Sequence, residues 1–164
     1  MPTIDEYASQ PRDARMQRLS RTADELAAAI AGQEEGVLCR RPDATNWAPK
    51  EVVCHLRDTE EVFGARMEQI LVMDADPTLI ITNADRVAED RQYLRNDITA
   101  ALAAFRRRRA ETLEAFGRLT PSQWEKGAVH PALGRITLDR VLSIMAFHDD
   151  NHLDQLARAL RGQP

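Results

Sequence analysis

The chain has 164 residues, 22 Lys and Arg against 26 Asp and Glu, and a net charge of −4. That length suits one domain, residues 1–164, and buries roughly 70% of the surface an unfolded chain exposes, so a core needs no staples. The acidic balance argues against a dedicated nucleic-acid or anionic-membrane binder, and no apolar run approaches the roughly 18 residues of a membrane span.

Two cysteines, Cys39 and Cys54, are too few for a disulfide framework and fit a reducing compartment. The first residues are acidic where a secretory signal would be basic and then apolar. Both features point to a cytoplasmic protein. Seven glycines is a low count for a β-rich chain, which spends Gly on turns.

Periodicity predicts helices almost throughout. Met16, Leu19, Ala23, Leu26 and Ile30 recur at steps of three and four and place a helix over about residues 12–31, with Gly32 and Gly36 bracketing its end. A polar stretch leads to Ala48-Pro49, and Pro49 suits the first position of a second helix reaching about residue 74. Asp76-Pro77 stops it. Residues 78–91 read as a loop with a short helix. A third long helix carries Leu94, Ile98, Leu102, Phe105, Leu113 and Phe116 and ends near Gly117. Thr120-Pro121-Ser122-Gln123 has the shape of a capping box, residues 125–136 read as a loop, and Thr137 caps a last helix over about residues 138–161. Four long amphipathic helices make an all-α, up-down four-helix bundle the expected fold, with its core over about residues 12–161.

Only four histidines occur: His55, His130, His148 and His152. His148 and His152 stand four apart, on one helix face. That face is apolar, because Leu138, Val141, Met145, Leu156 and Ala159 continue the same stripe. Burying two imidazoles against a core costs free energy unless their nitrogens find partners, and one metal ion satisfies both. His55 borders the apolar stripe of the second helix, between Val52 and Leu56. Three imidazoles from two facing helices form a neutral set with open coordination positions, the mark of catalytic rather than structural sites. The competing reading is three core histidines, each satisfied by a carbonyl or carboxylate.

The segment Trp47-Ala48-Pro49-Lys50-Glu51-Val52-Val53-Cys54-His55-Leu56 resembles the Trp-x-Pro-x-Glu-x-x-x-His-Leu motif of the DinB/YfiT-like superfamily. Gly134 and Thr137, followed by His148-Asp149-Asp150-Asn151-His152, resemble that family's second motif. The resemblance implies a four-helix bundle holding a divalent metal on His55, His148 and His152, often as a homodimer. It also implies activities such as transfer of a low-molecular-weight thiol (bacillithiol or mycothiol), isomerisation or hydrolysis. The expected function is therefore a metal-dependent thiol S-transferase acting on a small-molecule electrophile. A metal-dependent hydrolase and a non-catalytic metal-binding stress-response bundle are the alternatives. The donor set admits Zn, Ni, Fe, Mn or Co. Free imidazoles titrate near pH 6.5, so such a site is expected to release its metal below roughly pH 6. One departure is visible: Ala48 stands where the family has a capping Ser or Thr.

Among other residues, His130 is a weak candidate for a catalytic proton-transfer group on the open side of the metal. Asp58 and Glu51 lie within a turn of His55, where either carboxylate could accept from its second ring nitrogen, but a solvated helix face is the favoured reading for each. Asp149 and Asp150 point about 100° and 200° away from His148 and are not ligands. Cys54 reads as core, and Arg109, on its helix's stripe, needs a carboxylate partner or a route to solvent. Trp47 and Trp124 read as loop anchors.

Overall fold

The computed structural model describes residues 2–164. Helix α1 (Ile4–Ala8) is followed by α2 (Arg12–Ile30), α3 (Glu35–Leu38) and α4 (Pro49–Val72). Then come α5 (Ala84–Asp90), a 3-10 turn (Tyr93–Arg95), α6 (Ile98–Gly117) and α7 (Pro121–Trp124). A hairpin of β1 (Gly127–His130) and β2 (Gly134–Thr137) leads into α8 (Leu138–Leu160). The four long helices begin and end within a few residues of the expected positions. No helix is long and apolar enough to cross a membrane, among the described residues.

The caps follow the sequence. Thr120 accepts from Gln123 N while Gln123 reaches back to Thr120 N, which completes the capping box of α7. Thr137 accepts from Arg140 N at the start of α8. At α4 only half a box exists: Glu51 accepts from Ala48 N at 2.9 Å, but Ala48 has no side-chain acceptor to return the bond.

Which helices run together is decided by side-chain contacts. Arg15 on α2 donates to Ser143 on α8 at 2.7 Å and Thr22 to Asp149 at 2.5 Å, so both chains advance the same way and α2 and α8 are parallel. Arg109 on α6 meets Leu19 O on α2, and Arg106 meets Asp24, so α2 and α6 are antiparallel. Val52 and Leu56 on α4 share one apolar cluster with Ile98 and Phe105 on α6, while Phe63 and Met67 share the other with Phe116, which makes α4 and α6 parallel. The four-helix bundle is therefore built of two parallel pairs. Residues 73–97 supply the crossover that lets α6 start again at the end where α4 began.

The core divides into two apolar clusters, one at each end of the bundle. Leu19, Phe63, Met67, Phe116, Leu142 and Met145 fill one, and Leu26, Val52, Leu56, Phe105 and Leu156 fill the other. Trp124 stacks on Phe116 at 5.4 Å between centroids, anchoring α7 as its composition suggests.

Three local readings differ from the sequence-based expectation. Residues 127–137 form an antiparallel hairpin rather than a loop, pairing Gly127 with Thr137 and His130 with Gly134. Three residues, Pro131, Ala132 and Leu133, turn the chain, and Gly134 takes φ +70° beyond them, a conformation Gly adopts without strain. Strands of four residues are too short to show an alternating pattern, and the crossover supports them from outside through Leu79 N to Val129 O at 2.9 Å and Val129 N to Pro77 O at 2.8 Å. Helix α1 docks through Tyr7, whose hydroxyl donates to Asp150. Gly36 lies inside α3 instead of beyond a helix end, whereas Gly32 takes φ +70° just past α2.

Candidate metal centre

Between the two apolar ends the bundle carries a polar middle. Its first part is an ion-pair network. Arg109 on α6 donates to Glu60 on α4 at 2.6 Å and to Asp149 on α8 at 2.5 and 3.1 Å. All three side chains are at most 4% exposed. Burial alone would lower the basicity of Arg109, but Asp149 and Glu60 outweigh it and hold the guanidinium charged. The partner that Arg109 requires is therefore found twice over, and Asp149 is committed to it. Asp150 accepts from Arg18 at 2.5 Å. Neither aspartate belongs to the histidine cluster.

The second part is the cluster itself. His55 on α4 and His148 and His152 on α8 each offer a ring nitrogen, and these atoms all lie within 4.8 Å of one another. The Nε2 atoms of His55 and His148 are 3.2 Å apart. Two nitrogens bound to one tetrahedral ion at about 2.0–2.1 Å are separated by about 3.3 Å, so the spacing fits a shared ion. His152 Nδ1 lies 2.7 Å from Gln155 Oε1, a carbonyl that fixes this nitrogen as donor and leaves Nε2 as the ligand atom. No carboxylate bonds to any of the three rings, among the described residues. Of the carbonyl or carboxylate partners that three separately satisfied core histidines would need, only the Gln155 carbonyl at His152 is present among the described residues.

Burial is also the main influence on their protonation. It lowers His55 to about 3, helped by His152 and opposed by Asp58. It holds His148 well below the free imidazole value, with His152, His55 and Arg109 adding to the effect. It lowers His152 too, against the hydrogen bond His152 donates to Gln155 and the charge of Asp149. All three rings are neutral at pH 7 and ready to coordinate. Protons therefore compete with a metal at lower pH than they would at free imidazoles.

Trp47 forms a wall of this site. Its ring lies 4.8 Å from His55 and stacks over His152 at 6.2 Å, while its Nε1 donates to Asp85 on α5 at 2.9 Å. It anchors its loop, as expected, but against the histidines. Phe63 meets His148 edge-on at 5.8 Å.

A cavity of about 350 Å³ opens beside the cluster, bounded by α4, α5 and the residues before it. His55, His148 and His130 all line it. His130 is the last residue of β1, and its Nδ1 accepts from Ala132 N and Leu133 N at 3.1 and 3.2 Å. A neutral His130 therefore carries its proton on Nε2 and is a donor rather than a base.

Two carboxylates read as solvated are instead buried. Asp58 accepts from Tyr93 Oη and Arg57 Nε, both at 2.7 Å, and pairs with Arg91 at 3.0 Å. Its carboxyl is held low against burial by Arg57, Tyr93 and Arg91. Glu51 is gripped by Arg41 at 2.7 and 2.5 Å. Sequence reasoning missed both because Arg41, Arg91 and Tyr93 come from outside the helix. Cys54 is buried as expected, and burial pushes its thiol up to about 11, which leaves it inert.

A four-helix bundle with three inward imidazoles on two facing helices defines a class of candidate metalloprotein. The sequence matches the DinB superfamily over residues 18–156, and the chain belongs to that family. A solved structure of YfiT from Bacillus subtilis, described as a probable metal-dependent hydrolase with an unusual four-helix bundle topology, is similar with a TM-score of 0.84 at 21% identity. The match covers 92% of this chain and 86% of that one. No curated protein matches the sequence.

Proposed function

We propose that this protein is a metal-dependent enzyme in which His55, His148 and His152 hold one divalent ion and a small nucleophile is activated beside it. The observation that carries the reading is the convergence of three neutral imidazole nitrogens within 4.8 Å, with two of the rings, His55 and His148, lining a cavity. Zn, Ni, Fe, Mn and Co all suit such a donor set, because affinity order alone does not choose among them. When bound, a divalent ion lowers the pKa of a thiol or water beside it towards neutrality.

The chain's own residues favour a thiol brought as cosubstrate. Among the described residues the cavity lining offers no free base: Asp58 is taken by three donors, Glu61 pairs with Arg108 at 3.1 Å, and His130 presents a proton. A nucleophile that reacts as its own conjugate base needs none of them. The protein has no thiol of its own to offer here, since Cys54 is buried away from the cavity lining and strongly disfavoured as a thiolate. His130 then serves as a hydrogen-bond donor to an oxygen of the electrophile, and Trp47 and Phe63 keep bulk water from the rings. Hydrolysis is the second reading, favoured by the description of YfiT.

A screen of low-molecular-weight thiols against halogenated and epoxide electrophiles, with water-only controls, tests this. Turnover that requires thiol and disappears in His148→Ala is expected. Metal-loaded protein that is silent with every thiol contradicts the transferase, and thiol-independent turnover assigns the hydrolase.

A further inference from the structure

The cavity beside the histidines has a second polar feature at its far end. Arg66 lines it from α4, eleven residues beyond His55. Eleven residues make three turns plus about 20°, so both side chains leave the same face of α4, about 16 Å apart along its axis. Thr59 and Val62 lie between them on that face and also line the cavity. Helical side chains lean towards the N-terminus, which brings the Arg66 guanidinium back over the cavity rather than away from it.

The charges around the lining are otherwise matched. Asp58 pairs with Arg57 and Arg91, and Glu61 pairs with Arg108. Arg66 forms no ion pair with any described residue; its one protein partner is a neutral carbonyl, Ile80 O at 2.8 Å. A half-buried guanidinium has five N–H donors, and one carbonyl leaves most of them unused. Burial without a compensating carboxylate lowers its basicity, which is the cost an arriving anion would relieve. Between the two ends, Val62, Phe63, Ile81, Ala84 and Val87 give an apolar wall.

We infer that the cavity binds an elongated organic anion, its carboxylate or phosphate seated on Arg66 and its other end at His55 and His148. The span suits a molecule of roughly 10 Å, given the helix rise less the reach of the two side chains. This names the substrate class of the metal site proposed above and rests on that reading, whereas the anion seat itself rests on Arg66 alone. The electrophile or the thiol that enters here is then acidic at one end, apolar in the middle and reactive at the other.

Calorimetry with octanoate, octyl phosphate and octanamide tests the seat on metal-free and zinc-loaded protein alike. At least one of the two anions is expected to bind tenfold or more tightly than the amide, as charge-assisted bonds are stronger than neutral ones. Arg66→Gln removes that preference while octanamide affinity and melting temperature stay, and Arg66→Lys keeps part of it. Equal binding of anions and amide, or a preference that survives Arg66→Gln, overturns the inference. The monohydroxamate of suberic acid joins the two ends: zinc is expected to tighten its binding, and Arg66→Gln to weaken it. An octanoate preference lost in Arg66→Gln, with no gain from zinc for the hydroxamate, keeps the anion seat and rejects the metal reading.

Discussion

His55 and His148 bring their Nε2 atoms to 3.2 Å across 93 residues of sequence. The contact exists because α4 and α8 run antiparallel and bring these residues together between the two apolar clusters, with Phe63 of one and Trp47 of the other against the rings. The same topology builds the cavity. With α4 and α6 parallel, residues 73–97 must travel back along the bundle, and Ile81, Thr82, Ala84, Val87, Arg91 and Tyr93 from that return wall the space in front of His55. The crossover between α4 and α6 thus also gives the histidines a pocket.

The Arg109 network predicts a large stability effect. Arg109→Ala leaves Glu60 and Asp149 buried without their cation, and removing one partner of a buried pair costs about 3–5 kcal/mol. Urea denaturation should show a loss in that range. A loss below about 1 kcal/mol would mean that the two carboxylates find other partners.

Asp139 predicts an acid-sensitive contact at the α2–α8 seam. Its carboxyl lies below the usual carboxylate range because Arg15 and Arg12 outweigh its burial. A depressed carboxylate stabilises the fold above its unfolded pKa near 3.9, and that contribution disappears as pH falls through the folded value. Asp139→Asn should therefore melt lower at pH 7 and show a flatter decline of melting temperature below pH 4. Parallel declines in both proteins would place the acid sensitivity elsewhere.

Gly127 stands where no side chain fits. A Cβ there would lie 2.5 Å from Ile136 O, a backbone atom of the paired strand that cannot step aside. Gly127→Ala should cost about 1–3 kcal/mol by overpacking and loosen the start of α8. Hydrogen exchange at Leu138 N, which donates to Lys126 O at 2.9 Å, reports it directly. Unchanged protection there would contradict this account of the hairpin.

Ala48 predicts a gain. It sits at the N-cap of α4 with extended backbone (φ −68°, ψ 156°), and Glu51 already supplies one half of a capping box. Ala48→Ser completes the box and should raise stability by about 1 kcal/mol in denaturant unfolding. A loss instead would show that the buried cap position has no room for a hydroxyl.

The long helices were legible because each carries its own stripe and end signals, as Leu138 through Ala159 and the Thr137 cap show. The three histidines were legible for the same reason: all sit on or beside apolar stripes. Periodicity fixes which face turns inward but not which way a helix runs, so the parallel pairing of α4 with α6 was not readable. Nor were the partners of Arg109, which lie 49 and 40 residues away in sequence. Asp58 and Glu51 looked solvated because their arginines, at positions 91 and 41, approach from other segments. Helices α1 and α3, of five and four residues, are too short for any periodic signal.

The central claim is that His55, His148 and His152 hold one metal ion. Elemental analysis of protein purified without a metal-binding tag, beside His148→Ala, tests it most directly. About one divalent ion per chain in the parent and little in the variant is the predicted result. No metal in the parent after reconstitution with each candidate ion, or equal metal in the variant, would contradict it.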